Sequence, residues 1–198
     1  MIPHSTAALR TLMRQTQQTQ GMSVLQHGLQ VARYFDDLRK HILHGEPLQF
    51  HWRLPSWATS PLLWEQLMPL PVVRQYQIYH DAGKPLCRQQ DAQGRVHFPH
   101  HAAVSAALWL RMTGDPVVSR LMAMDMELHT MSAEDVTRFS KEPEAATLLL
   151  TALSEIHANA TMFGGIESDS FKMKFKHLDR RGKALLNLLH TQHQGEAA

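Results

Sequence analysis

Residues 79–85 contain the residue types best suited to metal chemistry. They read Tyr-His-Asp-Ala-Gly-Lys-Pro, so the imidazole of His80 and the carboxylate of Asp81 are adjacent where the sequence predicts a helix end. A borderline or hard divalent cation accepts such a mixed set of nitrogen and oxygen ligands. Lys84 would place a positive charge beside a bound phosphate. The alternative without a metal is that His80 and Asp81 form a capping pair at the helix terminus.

A further ligand is predicted on an earlier helix. Ser23 can cap this helix, and Gln26, three residues later, completes a capping box. The helix should extend to about His44. Side chains that recur at three- and four-residue steps define one inward face of it. The members of this face are His27, Val31, Tyr34, Leu38 and Ile42. His27 is therefore expected to point into the core.

These residues resemble the motif of the HD-domain metal-dependent phosphohydrolases. That motif consists of an early helical histidine, a later His-Asp pair, further histidines in some members and a distal acidic residue. His27 is similar to the first element, and the His80-Asp81 pair to the second. The resemblance implies that these three residues hold a divalent metal ion (Mn, Ni, Co, Zn, Fe or Mg), with one or two ions bound. It also implies an HD-type helical bundle.

The resemblance covers residues 23–165 and is closest to members that act on RNA. Residues 80–101 are similar to the HD domain of certain tRNA nucleotidyltransferases, in which a hairpin joins the His-Asp pair to another histidine. Residues 153–165 are similar to part of the HD domains fused to polynucleotide kinases in bacterial RNA repair. The implied substrates are nucleotides or phosphate-ended RNA.

The chain departs from the family pattern at the distal acidic residue. Family members have an aspartate on a late helix, yet residues 148–163 contain none. Asp125 is one substitute, because Asp125 and His129 are four residues apart and would share one helical face. Glu155 or His157 is the other substitute. Each of the two histidines could instead be a satisfied core histidine.

Several further side chains are candidates for contact with phosphate. His101 and His129 would hold a second metal or the phosphate, although His101 could also cap a helix that begins near Ala102. Lys84 and Arg88 would stabilise the charge that develops during phosphoryl transfer. His157 would contact phosphate if it is not a ligand.

Residues 171–183 form the one concentrated basic segment of the sequence. They read Phe-Lys-Met-Lys-Phe-Lys-His-Leu-Asp-Arg-Arg-Gly-Lys, so basic and aromatic residues alternate. Basic side chains interleaved with aromatic rings suit a nucleic-acid backbone. Lys174 and Lys176 are therefore candidate substrate-binding residues. The alternative is a helix whose charged residues only face solvent.

The composition sets the wider expectations. The chain has 198 residues with 43% hydrophobic residues, which predicts a single domain, residues 1–198, with a sizeable core. The single cysteine excludes an internal disulfide framework, and the N-terminus lacks the layout of a secretory signal. A cytoplasmic location is therefore expected. No apolar run is long enough for a membrane span. The sequence leaves a homo-oligomer open.

Helical signals dominate the pattern of elements. Glycine- and proline-rich turns separate seven or eight predicted helices, and residues 86–98 read as one small hairpin. The predicted class is therefore all-α. A first helix should close at Gly21, and a long buried helix should span residues 142–163. Residues 45–71 carry five prolines and three tryptophans, which predicts a long aromatic loop with one short helix.

The favoured function is hydrolysis of 2′-, 3′- or 2′,3′-cyclic phosphates of nucleotides or RNA ends. A 5′-nucleotidase or nucleoside triphosphate phosphohydrolase would use the same residues. A third hypothesis, prompted by the missing late aspartate, is a degenerate HD module that binds nucleotide or RNA without catalysis.

Overall fold

The computed structural model describes residues 2–19, 21–132 and 134–196. Within these ranges the chain is mostly helical, with two small hairpins, so the all-α prediction is confirmed. Eleven α-helical segments are present there, nine of them five residues or longer, compared with the seven or eight predicted. The chain divides into two compact units, the first containing the chain up to Ala32 and Pro71–Met126, the second Arg33–Leu70 and the chain from Glu127.

The first unit contains both of the hairpins found in the described residues. Helix α2 begins in this unit and ends in the second. The elements, in chain order, are α1 (Thr6–Gln15), β1 (Gln17–Thr19), β2 (Met22–Ser23), α2 (Val24–His44), α4 (Leu70–Tyr79), α5 (Lys84–Cys87), β3 (Gln89–Gln90), β4 (Val96–His97), α6 (His101–Thr113) and α7 (Pro116–Met124).

The second unit is built around two long helices. Its elements are α3 (Pro61–Glu65), α8 (Glu127–Thr130), α9 (Asp135–Phe139), α10 (Ala145–Ala158) and α11 (Asp169–Glu196), with 3-10 helices at Ser56–Thr59 and Ala160–Phe163. Helix α10 is buried along almost its whole length. Gly182 lets α11 approach the Trp57 ring closely, because a Cβ atom there would lie 2.3 Å from the ring.

Local capping signals place the helix starts correctly. The backbone N–H of Ser23 donates to Gln26 Oε1 at 2.8 Å, and the N–H of Gln26 donates to Ser23 Oγ at 3.2 Å. This is the predicted capping box. Asp115 caps α7 by accepting the N–H groups of the second and third helical residues, at 2.9 and 3.2 Å. Two backbone N–H groups that lack helical partners are satisfied in this way.

The first predicted helix boundary is wrong. Helix α1 ends at Gln15 instead of continuing to Gly21, and residues 17–19 pair with 22–23 as an antiparallel hairpin. Gly21 has a φ of 82°, a conformation that glycine adopts without a steric penalty, so it serves the hairpin turn. The predicted hairpin is present as the pair of β3 and β4, with Gln89 opposite His97.

Two other boundaries differ from the expectation. The buried helix predicted over residues 142–163 is α10, which ends at Ala158 before a separate 3-10 turn. The proline-rich loop contains two short helices instead of one, the 3-10 helix at Ser56–Thr59 and α3. Pro61 occupies the first turn of α3, where its missing N–H costs nothing. Among the described residues, no helix combines the length and apolar character that a membrane span requires.

Candidate metal centre

A glycine contact between helices α2 and α4 positions His27. A Cβ atom at Gly28 would lie 2.2 Å from the backbone oxygen of Ile78, so the two helices touch through their backbones at this point. His27 precedes that contact directly, and its ring is fully buried. Because Ile78 is two residues before His80, the close approach places the two histidine rings together, with centroids 5.1 Å apart.

A second glycine contact positions Asp81. Helix α4 ends at Tyr79, and His80 and Asp81 lie in the turn that follows. A Cβ atom at Gly83 would lie 2.6 Å from both the oxygen of His101 and the nitrogen of Ser105, so this turn packs on the first turns of α6. The N–H of Gly83 donates to Ser105 Oγ at 2.8 Å. The turn therefore places Asp81 close to the start of α6.

Four side chains of the first unit converge on the carboxylate of Asp81. Oδ2 lies 3.3 Å from Nε2 of His80 and 3.6 Å from Nε2 of His27. Oδ1 lies 3.5 Å from Nε2 of His101, and the ammonium of Lys84 lies 2.6 Å from Oδ2. Ligand atoms of His27, His80 and Asp81 are all within 4.8 Å of one another, and these three residues are buried. They could hold a metal ion.

The hydrogen bonds of two histidines suit a cation at this place. Nδ1 of His80 lies 2.9 Å from the carbonyl oxygen of Gln77, and Nδ1 of His101 lies 3.0 Å from that of Phe98. A carbonyl oxygen only accepts, so Nδ1 carries the proton in both rings. The Nε2 atom of each ring faces Asp81 and would be the atom that ligates a cation. Histidines that ligate metals are oriented in this way.

The charges around Asp81 keep it ionised. Burial raises the pKa of its carboxyl group, but Lys84 and His80 lower it more, so the pKa is well below the ordinary value. The ammonium of Lys84 also contacts Gln18 Oε1 at 3.1 Å and lies 5.5 Å from the centre of the Phe98 ring. The centre therefore offers a negatively charged carboxylate, and Lys84 contacts that carboxylate directly.

Asp125 belongs to the same unit as these residues. A carboxylate oxygen of Asp125 and a ring nitrogen of His80 lie within 4.8 Å of each other. The hydroxyl group of Tyr76 donates to Asp125 Oδ1 at 2.5 Å. The sequence did not single out Tyr76, although its position on the predicted helix four residues before His80 could have indicated it.

The unbroken helix on which Asp125 and His129 were predicted to share a face is not present. Helix α7 ends at Met124 and α8 begins at Glu127, so a turn at residues 125–126 interrupts the helix. His129 lies in the second unit, where its Nε2 is 3.6 Å from Glu155 Oε2. The i, i+4 argument for a two-ligand pair therefore does not hold.

The geometry of His157 favours the structural interpretation of this residue. Its Nδ1 lies 2.8 Å from the carbonyl oxygen of Leu153, and its Nε2 accepts the backbone N–H of Arg53 at 3.0 Å. Burial lowers its pKa to about 4, and the two backbone hydrogen bonds offset only part of this effect. His157 is therefore neutral near pH 7, and both its ring nitrogens are used within the second unit.

The basic candidates lie at exposed positions. Arg88 follows α5 and is exposed, and Lys174 and Lys176 are exposed on α11. Residues two apart on a helix are separated by roughly 200°, so these two lysines point to different sides of α11. Lys174 lies 5.0 Å from the centre of the Phe163 ring. Contact of these three residues with a substrate stays a prediction.

Comparisons of the chain with protein-family models, with curated proteins and with solved structures give no match. The case for a function therefore rests on the residues and their geometry.

Gly28→Ala should loosen the centre. Alanine gains about 1 kcal/mol in helix propensity, whereas overpacking typically costs about 1–3 kcal/mol, so we expect a net loss of stability of up to about 2 kcal/mol. The separation of α2 from α4 would also move His27 away from His80. Thermal unfolding and calorimetric titration with Mn²⁺ would measure both effects. Unchanged affinity for Mn²⁺ would contradict the positioning role of Gly28.

Proposed function

We propose that this protein is a metal-dependent phosphohydrolase of the HD type. The observation that carries the proposal is the convergence of His27 and His80 on one oxygen of a buried, ionised Asp81, with His101 facing its other oxygen. The donor set of two imidazoles and a carboxylate suits Mn, Fe, Co, Ni or Zn. Mg, which prefers oxygen ligands, fits it less well.

The roles proposed for the protein's own groups follow from their contacts. A divalent cation bound here would act as a Lewis acid that activates water and neutralises phosphoryl oxygens. His80 and His101 are held by backbone carbonyls, so their Nε2 atoms need no rearrangement to serve as ligands. Lys84 supplies a fixed positive charge for a phosphate oxygen. No side chain is required as a covalent nucleophile.

We propose 2′-, 3′- or 2′,3′-cyclic phosphates of nucleotides or RNA ends as the substrates. The support for this choice is the resemblance of residues 80–101 to HD domains that act on RNA. Within this stretch the hairpin leads to Phe98, whose carbonyl oxygen orients His101 and whose ring lies beside Lys84. A 5′-nucleotidase or nucleoside triphosphate phosphohydrolase would use the same centre and is the second candidate.

The test is a phosphate-release screen on the purified chain. The substrates are 2′-, 3′-, 2′,3′-cyclic and 5′-nucleotides, each assayed with Mn²⁺, Co²⁺, Ni²⁺, Zn²⁺ or Mg²⁺ and after chelation. We expect turnover of the first three classes, with loss after chelation. Preference for 5′-phosphates would select the second candidate. Cation binding without turnover of any ester would leave a binding module and reject the hydrolase.

One side of α11 offers a path for an RNA backbone. Lys172, Lys176 and Arg180 are spaced four residues apart, so they form a stripe along one side of the helix, the basic stripe. Lys172 also forms an exposed ion pair with Glu167 at 3.1 Å, which is worth little in water. Lys174 lies on a different side, against the Phe163 ring, so the proposed path includes Lys176 but leaves out Lys174, which serves as a matched control.

We expect oligonucleotide affinity to depend on the basic stripe. Three phosphate contacts predict a slope of about −2 for the logarithm of affinity against that of salt, or roughly a 20-fold loss between 50 and 200 mM. Lys176→Gln should reduce the slope by about 0.7. Lys174→Gln should leave it unchanged. Fluorescence anisotropy with a 3′-phosphorylated RNA would measure both, and equal slopes in the two variants would reject the path.

A further inference from the structure

Helix α4 places a buried tyrosine, Tyr76, four residues before His80. Tyr76 is 1% exposed, and its hydroxyl group donates to Asp125 Oδ1 at 2.5 Å. Asp125 is itself buried and directly follows the last residue of α7. At 2.5 Å the hydrogen bond from Tyr76 lies at the short end of the range for O–H···O hydrogen bonds in proteins. This bond therefore fixes the Asp125 side chain after the helix has ended.

Tyr76 also contacts His80. Their ring centroids are 6.2 Å apart with an interplanar angle of 66°, an edge-to-face arrangement. A carboxylate oxygen of Asp125 lies within 4.8 Å of a ring nitrogen of His80. Tyr76 therefore contacts both residues of a neighbouring pair, Asp125 through its hydroxyl group and His80 through its ring. The next residue, Gln77, orients the His80 ring through its carbonyl oxygen. Two consecutive residues of α4, Tyr76 and Gln77, therefore contact His80, and Tyr76 also contacts Asp125.

We infer that Tyr76 is a positioning residue of the metal centre, which holds Asp125 as a ligand beside His80. The inference rests on the metal centre of the proposed function, but it does not depend on which phosphate ester is the substrate. Tyr76 acts through Asp125 and is not itself assigned a contact with the substrate. Helix α7 has ended at Met124, so the hydrogen bond from Tyr76 restrains the Asp125 side chain at a position outside the helix.

Tyr79 provides a matched control on the same helix. Its hydroxyl group accepts a hydrogen bond from Arg10 at 3.2 Å, and its ring packs on Trp109 with centroids 4.9 Å apart. Tyr79→Phe therefore removes the hydroxyl group of a second buried tyrosine, which is hydrogen-bonded to Arg10 and not to a carboxylate of the centre. A merely structural effect of deleting a phenolic hydroxyl would appear in both variants.

The experiment is calorimetric titration of the metal-stripped full chain with Mn²⁺ alone. We expect Tyr76→Phe to weaken Mn²⁺ binding by about 10- to 100-fold, the usual effect of losing a group that orients a ligand. Tyr79→Phe should bind as the wild type does. In the background of Asp125→Ala, Tyr76→Phe should cause no further loss, because the group through which it acts is gone. Circular dichroism would verify that each variant is folded.

Three outcomes would overturn the inference: wild-type affinity in Tyr76→Phe, equal losses in the two tyrosine variants, or an additional loss in the Asp125→Ala background. Absence of Mn²⁺ binding by the wild-type chain would overturn the metal centre and this inference together. Normal Mn²⁺ binding with the expected pattern, but without hydrolysis of any phosphate ester, would support the role of Tyr76 and reject only the proposed reaction.

Discussion

Asp81→Asn should abolish phosphate release and weaken cation binding by more than about 100-fold, the upper range for losing a group that only orients a ligand. Asparagine keeps the shape of the side chain but removes the negative charge on which His27, His80 and Lys84 converge. A neutral amide cannot replace a carboxylate that offsets the charge of a divalent cation. Phosphate release and titration with Mn²⁺ would measure the two effects.

Asp115→Asn is the matched control for this substitution. It removes a carboxylate from the same unit, but asparagine caps a helix about as well as aspartate does, so α7 should keep its start. We expect wild-type turnover and Mn²⁺ affinity in this variant. Turnover in a folded, metal-replete Asp81→Asn protein would reject the assignment of the centre.

The parts of the centre that depend on local sequence were predictable. The capping box at Ser23 sets the start of α2, and the period of its apolar face then directs His27 inward. The position of the His80-Asp81 pair directly after α4 likewise follows from a helix that stops before a glycine, Gly83. Such signals act over three or four residues, so the sequence alone contains them.

The parts that depend on contacts between distant segments were not predictable. Nothing local to Gly28 shows that the backbone of Ile78 lies against it, and nothing local to Tyr76 shows that it meets Asp125, 49 residues later. The break at residues 125–126 also lacked a signal, because neither glycine nor proline occurs there. A periodic argument that assumes an unbroken helix, as for Asp125 and His129, fails at such a turn.

The two close glycine contacts explain how short helices form a precise centre. Gly28 and Gly83 each let one backbone touch another, which fixes the relative position of three elements without any side chain between them. Interiors are packed so densely that even one added methyl group must displace a neighbour. The ligands are consequently fixed by backbone contacts, and the histidine rings are then oriented by carbonyl oxygens.

Lys84→Ala should reduce kcat/KM for a nucleotide by roughly 10- to 150-fold and leave Mn²⁺ affinity at least as high as in the wild type. A hydrogen bond to a charged group contributes about 1.5–3 kcal/mol, and each 1.36 kcal/mol is a factor of ten in rate. The ammonium of Lys84 lies 2.6 Å from Asp81, so its removal takes a positive charge away from a cation site. A lower kcat/KM with undiminished Mn²⁺ affinity would show that Lys84 contributes to turnover without being a metal ligand.

Lys183→Ala is the control for Lys84→Ala. Lys183 forms a similar pair with Asp179, at 2.7 Å, but its side chain is 57% exposed, whereas that of Lys84 is 13% exposed. An exposed pair contributes little, so we expect wild-type kinetics with a mononucleotide. Lys84→Arg should restore part of the lost rate because it keeps the charge, although its planar group differs in shape from an ammonium. Wild-type kcat/KM in Lys84→Ala would mean that Lys84 only neutralises Asp81 and has no part in binding phosphate.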